Sequence, residues 1–199
     1  MWALVEDGSI TKIINKPKGM VIGDIQYSRN IFSFRWSNEE REAIGLYEIV
    51  FDNTNKKDEK YYINTNVSYG VESNKAVGSY GTATAKALAD ANATDDDGVE
   101  LDQVVVIEGL KTKHKRIIKQ QASGLLTNYD WYVIRKADAG TAVPSAITTY
   151  RAAVRTKSGQ METAIDNAAN VDALATLYEY TEQEDGTFTR PFGEFPEAV

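Results

Sequence analysis

The first part of the chain alternates short apolar runs with turn residues. Two pairs of runs are separated by dipeptides that contain glycine, and a two-residue turn of this kind predicts a β-hairpin. Glycine is suited to such turns because it adopts positive φ without steric cost. The predicted hairpins join residues 2–6 to 9–14 through Asp7-Gly8, and residues 20–22 to 25–27 through Gly23-Asp24.

One short helix and further strands are predicted after these hairpins. Ser37 is expected to cap a helix of one or two turns. Glu39 and Glu40 lie favourably near the positive end of this helix, and Gly45 is expected to end it. We expect residues 1–86 to form a β-rich domain of short antiparallel strands. Its further strands are predicted at residues 47–51, 59–63, 66–69 and 79–86.

The composition changes after residue 86. Residues 87–100 are rich in Ala, Asp, Asn and Thr and include Asp95-Asp96-Asp97-Gly98. Such a segment is typical of a linker or surface loop, and we expect an acidic linker here. The aspartates lack the alternating spacing and the later glutamate of a calcium-binding loop. No metal site is therefore expected.

Residues 101–199 show a helical pattern. Apolar residues recur at three- and four-residue steps, as an amphipathic helix requires. The pattern predicts a helical hairpin or bundle, which gives the chain an α+β fold. The first stripe comprises Leu110, His114, Ile117, Ile118, Ala122, Leu125 and Leu126, and the second comprises Ile147, Tyr150, Val154, Met161 and Ile165.

Turn residues indicate where these helices begin and end. After Asn128 the chain either continues the first helix or turns sharply. Pro144 suits the first position of the second helix, since proline needs no hydrogen-bonded N–H there. A last short helix is predicted to begin at residues 170–172 and to end at Leu177. The tail from Tyr178 contains too many Gly and Pro residues to be helical, so an irregular C-terminal tail is expected.

Composition and charge narrow the classes of function. The 199 residues contain no cysteine, which excludes disulfides, thiolate metal sites and thiol nucleophiles. The net charge of −7 argues against a nucleic-acid partner, since phosphate backbones attract clustered cations. No run approaches the roughly 20 apolar residues that span a bilayer. We therefore expect neither a nucleic-acid partner nor a membrane partner.

The one basic cluster, residues 111–116, does not change this expectation. Written on a helix, its charges fall on the face opposite Leu110, Ile117 and Ile118. A solvated polar face explains such a cluster without any ligand.

The sequence offers little chemistry for catalysis. His114 is the only histidine, and it lies within a lysine-rich helix, where we expect a residue at the boundary of the core rather than a base. Nucleophile elbows, Walker loops and dinucleotide-binding glycine patterns are absent from the sequence. No pair of carboxylates stands out from the acidic surface. We therefore expect a non-enzymatic protein with no catalytic residue, no cofactor and no small-molecule substrate.

A family resemblance lies within residues 119–155. Leu125-Leu126, then Asp130-Trp131, then the run from Tyr150 to Arg155 resembles the tail assembly chaperone-like domain of tailed phages. That pattern is a helix ending in paired leucines, an Asp-Trp turn, and a second helix that carries Tyr-Arg and a further Arg. The domain ends many tail fibre and tail fibre assembly proteins. The N-terminal segments at residues 2–5 and 31–37 are similar to small β-rich heads of phage tail proteins.

The resemblance implies a protein that acts in or on a phage tail. We expect a structural component of the tail: a tail fibre, a fibre adaptor or a baseplate-associated subunit. The alternative that it implies is a fibre assembly chaperone that is not retained in the virion. In the family, an Asp and a proline-bearing segment follow the second arginine closely. Here residues 156–159 are predicted to continue the helix, and a Phe-Pro element comes only at residues 195–196.

The resemblance also implies partners and a location. The partners would be other tail, fibre or baseplate proteins, with self-association left open. The location would be the virion tail, after assembly in the host cytoplasm.

Physical roles can be assigned to the residues of the motif. Asp130 can fix the turn, Trp131 can fill the wedge between two helices, and Tyr150 can pack against Trp131. Arg151 and Arg155 lie four residues apart on one face, so they can reach one acidic partner or pair with Asp130 or a local glutamate. The candidate interaction or hairpin-core residues are therefore Asp130, Trp131, Tyr150, Arg151, Arg155, Phe192 and Phe195.

Overall fold

The computed structural model describes residues 1–101 and 105–199, which divide into two compact units, residues 1–84 and 85–199. The first unit is rich in strands and the second in helices, so the predicted α+β class is confirmed. The helical region expected from residue 101 includes residues 102–104, which lie outside the described residues.

The first unit contains most of the strands. A 3-10 helix at Arg29–Phe32 and helix α1 at Asn38–Ala43 lie between its fourth and fifth strands. The strands are β1 (Trp2–Glu6), β2 (Ser9–Ile14), β3 (Met20–Ile22), β4 (Ile25–Tyr27), β5 (Leu46–Asp52), β6 (Tyr62–Ile63), β7 (Val67–Glu72) and β8 (Lys75–Tyr80), with β9 (Thr84–Ala85) at the boundary.

Both predicted hairpins are confirmed. β1 pairs with β2, and β3 pairs with β4, in each case antiparallel. Asp7 and Gly8 have φ values of 49° and 74°, and Gly23 has a φ of 57°, as two-residue hairpin turns require.

Two other predicted strands are shorter than expected. Residues 59–61 form a turn, so only β6 remains of the strand predicted at residues 59–63. The strand predicted at residues 79–86 is divided, because β8 ends at Tyr80 and β9 covers two residues. A hairpin that the sequence did not reveal joins β7 to β8 through Ser73 and Asn74, both with positive φ.

Five strands form one sheet in the order β2-β1-β5-β8-β7. Neighbours pair antiparallel except β5 and β8, which run parallel, so the expectation of antiparallel strands throughout is corrected. The reason is topological. The chain passes from β5 to the edge strand β7 and then returns through a hairpin, which gives β8 the same direction as β5.

One face of this sheet carries the larger apolar core. Buried side chains from β1, β2 and β5 contact side chains of the β3–β4 hairpin and of the segment that contains the 3-10 helix and α1. The buried members are Leu4, Ile14, Met20, Ile31 and Leu46.

The opposite face encloses a smaller core. Ala3, Ile49 and Ala76 are buried there, and Val5, Ile10, Ile13, Tyr47 and Phe51 are partly buried around them. Cα atoms of the two edge strands, β2 and β7, lie within 8 Å of each other. The sheet therefore curls around this side, and the small alanine side chains allow the tight curvature.

Helix α1 begins and ends as predicted. The Ser37 hydroxyl accepts a hydrogen bond from Glu40 N at 3.1 Å, and Ser37 N donates to the Glu40 carboxylate at 2.7 Å, which is a complete capping box. Gly45 follows the helix with a φ of 78°. A Cβ at Gly45 would lie 2.6 Å from Val5 O, so the position requires glycine for space as well as for conformation.

The second unit contains four helices among the described residues. The elements of the unit after β9 are β10 (Ala91–Asn92), β11 (Val106–Ile107), α2 (Leu110–Thr127), α3 (Asp130–Ala139), α4 (Ser145–Asn167), α5 (Val171–Thr176), β12 (Thr181–Glu182) and β13 (Phe188–Thr189).

The helix predictions in this unit hold with small changes. After Asn128 the chain turns sharply, which decides between the two alternatives at that point. Pro144 immediately precedes α4 instead of taking its first position. The tail after Tyr178 is not helical, and it contains the antiparallel pair β12–β13. No helix among the described residues is long and apolar enough to cross a membrane.

The second stripe predicted on the sequence is buried in full on α4. On α2 the buried members are Leu110, His114, Ile118 and Ala122, whereas Ile117 is 44% exposed and does not belong to the core. Helices α2 and α4 pack side by side, and Ala122, Tyr150 and Val154 form a buried cluster at their contact.

The segment expected to be an acidic linker, residues 87–100, contacts the first turn of α2. Leu110 N donates to Ala87 O at 2.9 Å, and Lys111 N donates to Leu88 O at 3.0 Å. The Asp90 carboxylate accepts from Gly109 N at 2.8 Å and from the Thr112 hydroxyl at 2.9 Å. These hydrogen bonds lower the pKa of Asp90, and the bond from Gly109 N is the largest cause. The segment thus satisfies N–H groups that a helix start leaves without partners.

Candidate functional site

Arg151 is the buried polar residue at the centre of the predicted motif. Its Nη1 lies 2.8 Å from Leu126 O and 2.8 Å from the Asp130 carboxylate. Leu126 belongs to the last turn of α2, and Asp130 is the first residue of α3. One guanidinium on α4 therefore fixes both ends of the α2–α3 turn. The sequence predicted this pairing with Asp130 as one of two alternatives.

The aromatic contacts of the motif differ from the prediction. The expectation that Trp131 fills the wedge between two helices is wrong, because the Trp131 side chain is 48% exposed. Tyr150 is buried, and its ring packs edge-on against Tyr129 with centroids 5.2 Å apart. Tyr129, which sequence reasoning passed over, thus takes the place expected for Trp131. The sharp turn after Asn128 directs Tyr129 inward and the next residues outward.

Helix α3 presents its apolar residues to solvent. None of its ten residues is buried, and Trp131, Val133 and Ile134 are 48%, 44% and 67% exposed. The Trp131 ring lies against the Tyr132 ring with centroids 3.8 Å apart. The Arg135 guanidinium lies 4.7 Å from the centroid of Trp131 and 5.4 Å from that of Tyr132. These contacts hold two aromatic side chains in place before any partner binds.

A groove of about 430 Å³ lies between α2 and α4 beside the start of α3. Arg155 lines it and is exposed, one helical turn after Arg151. Lys119 pairs with Glu162 across the groove at 3.3 Å, and the Ser158 hydroxyl lies 3.2 Å from the same carboxylate. Arg151 and Arg155 therefore have different surroundings, although the sequence places them on one helical face.

The tail residues Phe192 and Phe195 are anchored in the second unit. Phe192 is buried, its ring packs on Tyr178 with centroids 4.7 Å apart, and Phe192 N donates to Leu177 O at 3.1 Å. Phe195 packs against the α2–α4 cluster. The Tyr129 hydroxyl donates to Val199 O at 2.7 Å. The structure thus brings Phe195 together with Tyr150, and it separates Trp131 from both.

His114 and the basic cluster are engaged in contacts within the unit. His114 is buried, which corrects its expected position at the core boundary, and its Nδ1 lies 2.7 Å from the Tyr178 hydroxyl. Lys115 pairs with Asp166 at 2.8 Å, and Arg116 pairs with Glu108 at 2.6 Å. The pKa of Lys115 is raised, and its hydrogen bond to the Asp166 carboxylate is the largest cause.

The three consecutive aspartates at residues 95–97 lie in a turn. The Asp95 carboxylate accepts from Asp97 N at 3.0 Å and from Val99 N at 2.9 Å. Across residues 1–101 and 105–199, no group of three or more metal-ligating side chains is close enough to hold an ion.

These contacts define an α+β protein whose distinctive surface is helix α3, which exposes three large apolar side chains. Comparison with known proteins adds no relative, since no family model, no curated protein and no solved structure matches the chain. The function is therefore inferred from the contacts above and from the resemblance in the sequence. Val133 and Ile134, which the sequence reasoning did not select, could have been found as apolar residues that continue neither helical stripe.

Proposed function

We propose that the chain is a non-enzymatic subunit of a phage tail, acting through protein–protein contacts as a tail fibre, a fibre adaptor or a baseplate-associated component. The exposed side of α3 supports the contact function. The resemblance of residues 119–155 to the tail assembly chaperone-like domain supports the phage tail.

The observation that carries the proposal is a helix with no buried residue and three large exposed apolar side chains. Exposed apolar area of this kind is stabilised by burial against a partner. Trp, Tyr and Arg are the side chains most often found at the energetic centre of protein interfaces. Here Trp131, Tyr132 and Arg135 are stacked on one another, so little side-chain entropy remains to be lost on binding.

Incorporation into particles tests this proposal. We expect mass spectrometry of gradient-purified phage particles to find the chain in a fixed ratio to the tail-tube protein. The change Ile134→Asp should lower its incorporation at least ten-fold, because a carboxylate would be desolvated at the docking surface. Ile117→Asp is the matched control, since Ile117 is an exposed isoleucine on α2, and it should leave incorporation unchanged. Equal incorporation of both variants would exclude α3 as the docking surface.

A second candidate is a fibre assembly chaperone that leaves before the particle is complete. The same exposed helix favours it, because transient partners also bind exposed apolar surfaces. It predicts that the chain is absent from mature particles and that fibres form poorly without it. Finding the chain in infected cells but never in particles would therefore reject the structural component and favour the chaperone.

A further inference from the structure

The C-terminal arm, residues 190–199, is joined to the rest of its unit by an exposed connector. Residues 179–189 are all exposed, and their regular structure is limited to the two-residue strands β12 and β13. The connector begins directly after Tyr178. Beyond the connector the chain comes back to this point, where Phe192 packs on the Tyr178 ring. Moving the connector away from the unit would expose none of the connector's own side chains, because all of them are already exposed.

The arm is held by a few separate anchors. Phe195 packs on the cluster of Ala122, Tyr150 and Val154, and the Tyr129 hydroxyl binds Val199 O. Phe192 packs on Tyr178 and donates its N–H to Leu177 O. All these anchors belong to α2, α4, α5 and the short turns beside them. The α2–α4 cluster thus binds Phe195, and the segment that follows α5 binds Phe192.

Charge is also complementary between the helices and the segment that would be exchanged, which is the connector together with the arm. Residues 110–167 contain ten Lys or Arg and four Asp or Glu, a net charge of +6. Residues 179–199 contain one Arg and six Asp or Glu, a net charge of −5. An arm from another molecule would meet the same attraction, which favours encounter as well as binding.

We propose that the cleft between α2 and α4 is a self-association site, in which the C-terminal arm of a second copy of this chain replaces the molecule's own arm. Each exchanged arm remakes the contacts that it leaves, so the exchange has a low cost. Fully extended, the eleven connector residues span about 38 Å, which is enough to reach a neighbouring molecule. This surface differs from the exposed side of α3.

Photo-crosslinking between differently labelled full-length chains tests the proposal. Phe195 is replaced by p-benzoylphenylalanine in unlabelled chain, which is concentrated together with nitrogen-15-labelled wild-type chain and irradiated. We expect crosslinks from position 195 of one chain to residues near Ala122 and Val154 of the other. The same photoreactive residue at position 188, where Phe188 is 62% exposed, is the control and should give no such crosslink. Crosslinks confined to single chains would overturn the proposal.

Sedimentation velocity provides the second measurement. Phe195→Ala should weaken the dimer at least ten-fold, whereas Phe188→Ala should leave it unchanged. Ile134→Asp should also leave it unchanged, so failure of the arm exchange and failure of α3 docking can be told apart. A wild-type chain that stays monomeric at the highest attainable concentration would reject the exchange, even if Phe195→Ala fails to fold.

Discussion

Arg151 and Arg155 lie one turn apart on α4, yet their surroundings differ. Arg151 is buried, and it joins the last turn of α2 to the first residue of α3 through Leu126 O and Asp130. Arg155 is exposed beside the groove. A guanidinium suits the first role because its planar donors can serve two acceptors at once. Arg151 therefore positions α3, and Arg155 is available to a partner.

Replacing Arg151 tests this difference. Arg151→Met should lower the free energy of unfolding by about 2 kcal/mol, since it leaves a carbonyl and a carboxylate without their shared donor. The half-exposed Asp130 is partly rehydrated, which keeps the loss below that of a fully buried pair. Chemical denaturation measures the change. Arg155→Met is the control and should stay within about 0.5 kcal/mol of wild type, and equal losses in the two variants would contradict the assigned role.

For single residues, the sequence was a good guide to which side chains lie in the core. It was a poorer guide to which of these side chains contact each other. Tyr150 is in the core as expected, but its aromatic partner is Tyr129. The backbone turn after Asn128 decides which of Tyr129 and Trp131 points inward, and apolar periodicity carries no information about that direction. The pairing of Arg151 with Asp130 was predictable because opposite charges were already present in the motif.

The long helices, in which an apolar stripe continues over several turns, were predicted well. The stripes of α2 and α4 place enough residues on one face to make the pattern unambiguous, apart from Ile117. Shorter elements were harder. Residues 59–61 contain β-forming tyrosine but fold as a turn. The β7–β8 hairpin turns at Ser73 and Asn74, which lack the glycine that marked the first two hairpins.

Gly45 gives a test at the level of a helix end. Gly45→Ala should lower the free energy of unfolding by about 2 kcal/mol or more, because a left-handed alanine is strained and its Cβ would press on Val5 O. Gly8→Ala is the matched control. Gly8 also has positive φ, but a Cβ there meets nothing within 4 Å, so only the conformational strain of about 1 kcal/mol applies. Thermal unfolding that ranks the two variants equally would exclude the close contact at Gly45.

Across the whole chain, the spacing of apolar and turn residues predicted a strand-rich part followed by a helix-rich part, and composition predicted a linker at residues 87–100. It did not predict the role of residues 87–100, because a polar and acidic composition gives no sign of hydrogen bonds to a helix start. It also did not predict that Phe192 and Phe195 anchor the arm. Such anchoring depends on contacts between distant parts of the sequence, as between Tyr129 and Val199.

Acid should loosen the C-terminal arm. The Tyr180 hydroxyl and then Arg190 hold the pKa of Glu194 below its ordinary value of 4.5. Because the pKa is lowered in the folded chain, this stabilisation is present above pH 4.5 and is lost as the pH falls through the lowered pKa. Hydrogen exchange at residues 190–196 should therefore rise, relative to the rest of the unit, as the pH falls below 4.5.

The matched variants for this experiment are two glutamates of the same arm. Glu194→Gln should remove the pH-dependent part of the exchange, and Glu197→Gln should retain it. An identical pH profile in both variants would show that Glu194 does not hold the arm.

The curl of the five-stranded sheet limits how copies of the chain can come together. Inserting a foreign strand between β2 and β7 would need about 9.6 Å, twice the usual spacing of paired strands. The two edges come within 8 Å of each other, so the gap is too narrow for a guest strand to bridge them. Edge-to-edge pairing with a strand of another molecule is therefore disfavoured at this gap.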